Sequence, residues 1–121
     1  MQMHGALRIL AVDNEPSVTL SMRYIFAGPQ YEFTCVENGL EALAELEAQS
    51  DRFDVIIVDQ RMPQLSGLEL VTAIRERGVA SKIIVVSAHL SPEIRDAYER
   101  MDVRVIFGKP FDVAALRAAV G

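Results

Sequence analysis

Four side chains suited to phosphate or metal chemistry each stand at the end of an apolar run. Val55-Ile56-Ile57-Val58 leads into Asp59, which opens Asp59-Gln60-Arg61-Met62-Pro63. Ile9-Leu10-Ala11-Val12 leads into Asp13-Asn14-Glu15, and Ile83-Ile84-Val85-Val86 leads into Ser87. Val103-Arg104-Val105-Ile106-Phe107 leads through Gly108 into Lys109-Pro110. Short runs of this kind read as buried strands. In an open α/β sheet, ligands bind outside the carboxyl ends of the strands. Acid, acid, hydroxyl and lysine at four such ends make up a small phosphoryl-and-metal site.

The chemistry follows from charge. Two carboxylates about 5 Å apart at an effective dielectric near 20 repel by roughly 3 kcal/mol. A divalent cation removes that cost, and Mg²⁺ suits hard oxygen ligands. The same cation can neutralise a phosphoryl group during transfer. Lys109 supplies a second positive charge for phosphoryl oxygens, and Ser87 a hydroxyl for another. Asp59 is then the nucleophile of an aspartyl phosphate.

Positioning these groups requires alternating strands and helices. Strands are predicted from about Arg8 to Val12, Tyr31 to Val36, Phe53 to Val58, Lys82 to Val86 and Val103 to Phe107. Glu15-Pro16-Ser17 starts the first helix, with Val18, Met22, Ile25 and Phe26 at helical spacing before Gly28-Pro29. Asn38-Gly39 opens a second helix, and the third carries Leu68, Val71 and Ile74 up to Gly78. Ser91-Pro92-Glu93 starts a fourth with Ile94, Ala97, Tyr98 and Met101 on one face, and Asp112 caps a fifth. This alternation predicts βαβ crossovers and a parallel sheet covered on both faces. Short right-handed connections favour a doubly wound, flavodoxin-like α/β fold with strand order 2-1-3-4-5. In that order the first and third strands are neighbours, so Asp13, Asn14 and Asp59 converge.

Composition sets the bounds. The chain has 121 residues, 50% of them hydrophobic, which suits one domain. We assign residues 1–6 to a flexible lead-in and 7–121 to the domain. A formal charge of -5 with scattered Lys and Arg argues against a nucleic-acid surface. The single Cys35 forms no internal disulfide, which points to a reducing cytoplasm, and it reads as a small core residue. No apolar stretch has the roughly 18 residues of a membrane span.

Taken together, the motifs resemble the response-regulator receiver domain of two-component signalling. The resemblance rests on Val12-Asp13-Asn14-Glu15-Pro16, on Asn38-Gly39 followed by Glu41-Ala42-Leu43, and on Asp59-Gln60-Arg61-Met62-Pro63 with Gly67. Ser87-Ala88 and Lys109-Pro110-Phe111 complete it. It implies that Asp59 accepts a phosphoryl group from the histidine of a sensor kinase or phosphotransfer protein. It further implies Mg²⁺ held by Asp13, Asn14, Asp59 and the backbone carbonyl of Arg61. Ser87 would be the switch hydroxyl, with the Ala88 amide and Lys109 facing phosphoryl oxygens and a cis bond between Lys109 and Pro110. Arg61 and His89 would flank the pocket as exposed side chains. A downstream protein would read the face of the fourth helix, fifth strand and fifth helix.

Two positions depart from the family pattern. Asn14 replaces the second acid and brings an oxygen without charge; Glu15 reads first as a helix cap, the alternative being that it compensates for that missing charge. Ile106 stands three before the lysine, where the family usually carries Tyr or Phe. Phe107 cannot take its place, because adjacent strand residues point to opposite faces.

The sequence therefore predicts a signalling module with self-catalysed phosphotransfer and dephosphorylation, not an enzyme in the ordinary sense. The alternative is a pseudo-receiver that binds partners without being phosphorylated. An aspartyl phosphatase of the haloacid-dehalogenase type would need an acid two residues after the nucleophile, and Arg61 occupies that place. A flavin module would need a hydroxyl- and glycine-rich loop after the first strand, which is missing.

Overall fold

The structure is a computed structural model, and it describes residues 5–48 and 53–121. Of the expected lead-in, residues 1–4 lie outside the described residues. Gly5 and Ala6 precede the first strand without regular structure.

Elements alternate strictly: β1 (Leu7–Val12), α1 (Pro16–Ile25), β2 (Tyr31–Val36), α2 (Gly39–Ala48), β3 (Val55–Val58), α3 (Gly67–Glu76), β4 (Lys82–Ser87), α4 (Pro92–Arg100), β5 (Val105–Gly108) and α5 (Val113–Val120). The sheet has the expected order β2-β1-β3-β4-β5, and every pairing is parallel. Side-chain alternation divides each central strand between two cores. Leu10, Val12, Ile56, Val58, Ile83 and Val85 pack with residues of α2, α3 and α4. Ile9, Ala11, Val55, Ile57, Ile84 and Val86 pack against Met22 and Ile25 of α1 and Leu116 and Val120 of α5. Burial on both faces explains why β3 and β4 read as unbroken apolar runs.

The helix starts show why the chain turns where it does. Ser66 caps α3 in a reciprocal box with Glu69, Ser91 accepts from the Ile94 amide, and Asp112 accepts from the Ala114 and Ala115 amides. Gly78, at φ +75°, follows the C-cap of α3 in the left-handed conformation that glycine adopts freely.

Three boundaries differ from the sequence reading. Phe53 is buried but lies before β3, where its carbonyl accepts from the Ser81 hydroxyl at 2.6 Å. Val103 is also core, yet its amide closes the end of α4 on the Tyr98 carbonyl at 3.0 Å, so β5 begins two residues later. Helix α1 stops at Ile25, ahead of Gly28-Pro29, because Phe26 leaves helical geometry (φ -109°, ψ 34°) while its amide still bonds the Met22 carbonyl. Cys35 is half-buried against the α1–α5 core.

Gly67, the first residue of α3, is a point of close approach. A Cβ there would lie 2.6 Å from the Asp59 carbonyl oxygen and 2.6 Å from the Tyr98 hydroxyl. Neither contact is tolerable, and the first involves backbone. Gly67→Ala is expected to cost about 1–3 kcal/mol, seen as a lower urea midpoint; an unchanged midpoint would show that this packing is loose.

Candidate functional site

The sheet ladder carries the acids to one place. Beyond β1, the Asp13 amide donates to the Val36 carbonyl at 3.2 Å; beyond β3, the Asp59 amide donates to the Val12 carbonyl at 3.0 Å. The two carboxylates thus sit side by side at the carboxyl edge, 2% and 3% exposed. At the other side of β3, the Lys109 amide donates to the Ser87 carbonyl at 3.1 Å and brings the lysine in behind β5.

The ammonium is the hub. Lys109 Nζ lies 2.6 Å from Glu15 Oε1, 3.0 Å from Asp13 Oδ2 and 3.5 Å from Asp59 Oδ2. Asp13, Glu15 and Asp59 can bring one oxygen each within 4.8 Å of one another. Three carboxylates therefore face a single ammonium. Asp13 Oδ1 also accepts from the Glu15 amide at 2.9 Å, and Asp59 Oδ1 receives the Arg61 amide at a long 3.4 Å. Ser87 Oγ is buried without a hydrogen-bond partner. A buried hydroxyl left without a partner costs about 1–3 kcal/mol.

These residues line a cavity of about 270 Å³ formed by Asn14, Glu15, Asp59, Arg61, Ser87, Ala88 and Lys109. Asp13 lies beneath it through its contact with Lys109. All the strand-end residues singled out from sequence are brought together. Asn14 and Arg61 are exposed at the cavity's mouth, as is Ala88, and His89 is exposed beside it. The Lys109–Pro110 bond is cis.

Of the two readings open for Glu15, the structure favours the second over the cap. It occupies the N-cap position of α1, but its side chain makes no capping hydrogen bond and is spent on Lys109. The third carboxylate of the corner is thus Glu15, next to the neutral Asn14.

Burial pushes the Asp59 carboxyl above its ordinary range, and the Asp13 charge adds to this, against the opposing pull of Lys109 and the Arg61 amide. For Lys109, burial pulls downward, but the Glu15 and Asp13 hydrogen bonds and the Asp13 and Asp59 charges outweigh it and raise its pKa. The donor set is all oxygen and its negative charge exceeds the lysine's, which fits a hard divalent cation.

The comparisons agree with this geometry. A family model of the response regulator receiver domain matches residues 9–121. The chain is 34% identical to response regulator MprA of Mycobacterium leprae, over 94% of this chain and 49% of the relative. It is 24% identical to sporulation initiation phosphotransferase F of Bacillus subtilis, over 93% of this chain and 90% of that protein. The chemotaxis protein CheY4 of Vibrio cholerae superimposes with a TM-score of 0.84 at 30% identity, covering 97% of each chain. The chain belongs to the response regulator receiver domain family. It spans about half the length of MprA and of response regulator RppA of Synechocystis (49% and 48%). Phosphorylation-dependent signalling is the family's general role, and its members act as signalling modules rather than as conventional enzymes. No helix among the described residues is long and apolar enough to cross a membrane.

The raised pKa of Asp59 has a consequence for stability. Its proton binds more tightly in the folded state, so the charged form disfavours folding. The contribution is favourable below the ordinary carboxylate range and is lost as pH rises through the raised value. Asp59→Asn is expected to melt above wild type at neutral pH in the presence of chelator, by an amount worth about 1–3 kcal/mol, with the gap closing on acidification. A wild type that melts at or above the variant at neutral pH would contradict this.

Proposed function

We propose that Asp59 accepts a phosphoryl group from a phosphohistidine of a sensor kinase or phosphotransfer protein, and that this resets a protein-binding face. The observation that carries the reading is the buried carboxylate of Asp59 beside Lys109 and Asp13, with the unpartnered Ser87 hydroxyl in the same cavity. An Asp59 oxygen attacks phosphorus, the new P–O bond forms, and the P–N bond breaks with its electron pair returning to the imidazole. Charge spreads over the phosphoryl oxygens during transfer, so fixed donors and cations around them are worth most at that moment. Lys109 is one such cation. The Ser87 hydroxyl and the Ala88 amide are the donors.

Asp13, Asn14, Asp59 and the Arg61 carbonyl would hold Mg²⁺, with Glu15 adding negative charge nearby. When bound, Mg²⁺ would screen the carboxylates from one another and from the incoming phosphate. Hydrolysis returns Asp59 to the carboxylate, and the exposed Arg61 and His89 side chains border the path of water.

An apolar groove of about 670 Å³ between α1 and the start of α5 supports the donor's route. It includes Tyr24, Phe111 and Val113 and shares Glu15, Ala88 and Lys109 with the phosphoryl cavity. A donor protein seated there would bring its histidine to Asp59. The downstream partner would read the α4–β5–α5 face. Residues 7–121 would form the receiver unit, in the cytoplasm with its donor.

Incubation with Mg²⁺ and a small phosphodonor such as acetyl phosphate is expected to add one phosphoryl group to the intact chain. Asp59→Ala should abolish the mass gain, and chelator should suppress it. Labelling that persists in Asp59→Ala would refute the acceptor. No labelling of wild type would favour the phosphorylation-independent binding module.

A further inference from the structure

Tyr98 is the largest of the fully buried side chains, yet it carries a hydroxyl. That hydroxyl donates to Gln60 Oε1, from α4 to the residue directly after Asp59. Gln60 Oε1 also accepts from the Leu68 amide at 2.9 Å, and the Gln60 carbonyl accepts from the Gly67 amide at 2.9 Å. One buried amide thus ties together the loop after β3, the first turn of α3 and the last turn of α4. The absent side chain of Gly67 leaves room for this convergence. Burial, with a further push from the Asp59 charge, raises the Tyr98 pKa, so the phenol remains a neutral donor at physiological pH.

The direction of this ring matters because of Ile106. On β5, Ile106 packs in the core below α4, where Tyr98 is also found, whereas Phe107 packs in the opposite core with α1 and α5. Neither β5 residue therefore sets an aromatic ring beneath α4. Tyr98, from α4 itself, sets a ring on that side, and its hydroxyl reaches the phosphoacceptor loop. The outward side of α4 is polar and exposed, with Glu93, Arg95, Asp96, Glu99 and Arg100.

We propose that Tyr98, through its hydrogen bond to Gln60, is the positioning residue that couples the state of Asp59 to the outer surface of α4. The inference rests on Asp59 being the phosphoryl acceptor. Reorganisation of the loop around a modified Asp59 moves Gln60, and the bond hands that movement to α4. Coupling between sites is reciprocal, so a partner bound on α4 would also alter the phosphoryl site.

The test uses the full chain, labelled for amide NMR, with Mg²⁺ and beryllofluoride as a phosphoryl mimic. In wild type, amide signals at Asp59, Ser87 and Lys109 should shift, and so should those of residues 95–100. In Tyr98→Phe, which keeps the ring and removes the hydroxyl, the shifts at Asp59, Ser87 and Lys109 should remain while those of residues 95–100 are lost. Gln60→Met breaks the same bond from its other end and should give the same split, which keeps the test decisive if one variant fails to fold. Residues 95–100 responding as in wild type in a folded variant would overturn the coupling alone, as would a wild type whose α4 stays silent while Asp59 responds. Absence of any shift at Asp59, Ser87 and Lys109 in wild type would overturn the acceptor reading and the coupling with it.

Discussion

Charge is out of balance at the carboxyl edge of this sheet, and much of the structure is arranged around that imbalance. Asp13 and Asp59 are almost fully buried beside each other, Glu15 reaches the same point, and the ammonium of Lys109 is in contact with all three. Burying like charges costs folding free energy unless something compensates. Lys109 compensates in part, and the surrounding carboxylates raise its pKa against the opposing effect of burial. The remaining negative charge and the unpartnered Ser87 hydroxyl are what an unstable but functional site looks like in physical terms. A signalling module gains from this arrangement, because a change at Asp59 alters the energy of everything bonded to the corner.

The acidic corner was readable in sequence because strand ends have strong signatures. Each of Asp59, Asp13, Ser87 and Lys109 follows an apolar run, and parallel pairing in one sheet leaves those runs' ends on one edge. The strand order followed from crossover handedness and length. Less legible were features that depend on side chains meeting across the chain. Tyr98 reads from its spacing as one more core residue of a helix, and Gln60 as one more loop residue. Their bond joins positions 38 residues apart and leaves no periodic trace. A clue was available all the same: a polar amide directly after a buried strand must find partners inside the protein. The choice between the two readings of Glu15 is hidden for a similar reason. Position before Pro16 suggests a cap, and only the placement of Lys109, 94 residues later, shows where the carboxylate goes.

Boundaries are displaced where other hydrogen bonds outcompete the ladder. Phe53 and Val103 are both core residues with strand-forming sequences, yet each is taken up by a contact specific to its turn. Such displacements leave the site untouched, since the carboxyl ends of the strands are set by the register with β3. The departures Asn14 and Ile106 have structural counterparts close by. Glu15 supplies a third carboxylate beside Asn14, and Tyr98 supplies an aromatic hydroxyl on the side of the sheet where Ile106 has none. Both replacements come from elements next in the chain or packed alongside.

Cation binding by the unmodified protein probes this corner before any phosphate chemistry intervenes. Calorimetric titration of Mg²⁺ into wild type and Asp13→Asn should show one equivalent bound by wild type and an affinity lower in the variant by about tenfold or more, worth at least ~1.4 kcal/mol. Wild type that takes up no Mg²⁺ would mean that Lys109 alone balances the buried carboxylates, and a variant that binds it equally well would mean that Asp13 does not hold the cation; either result would contradict the account.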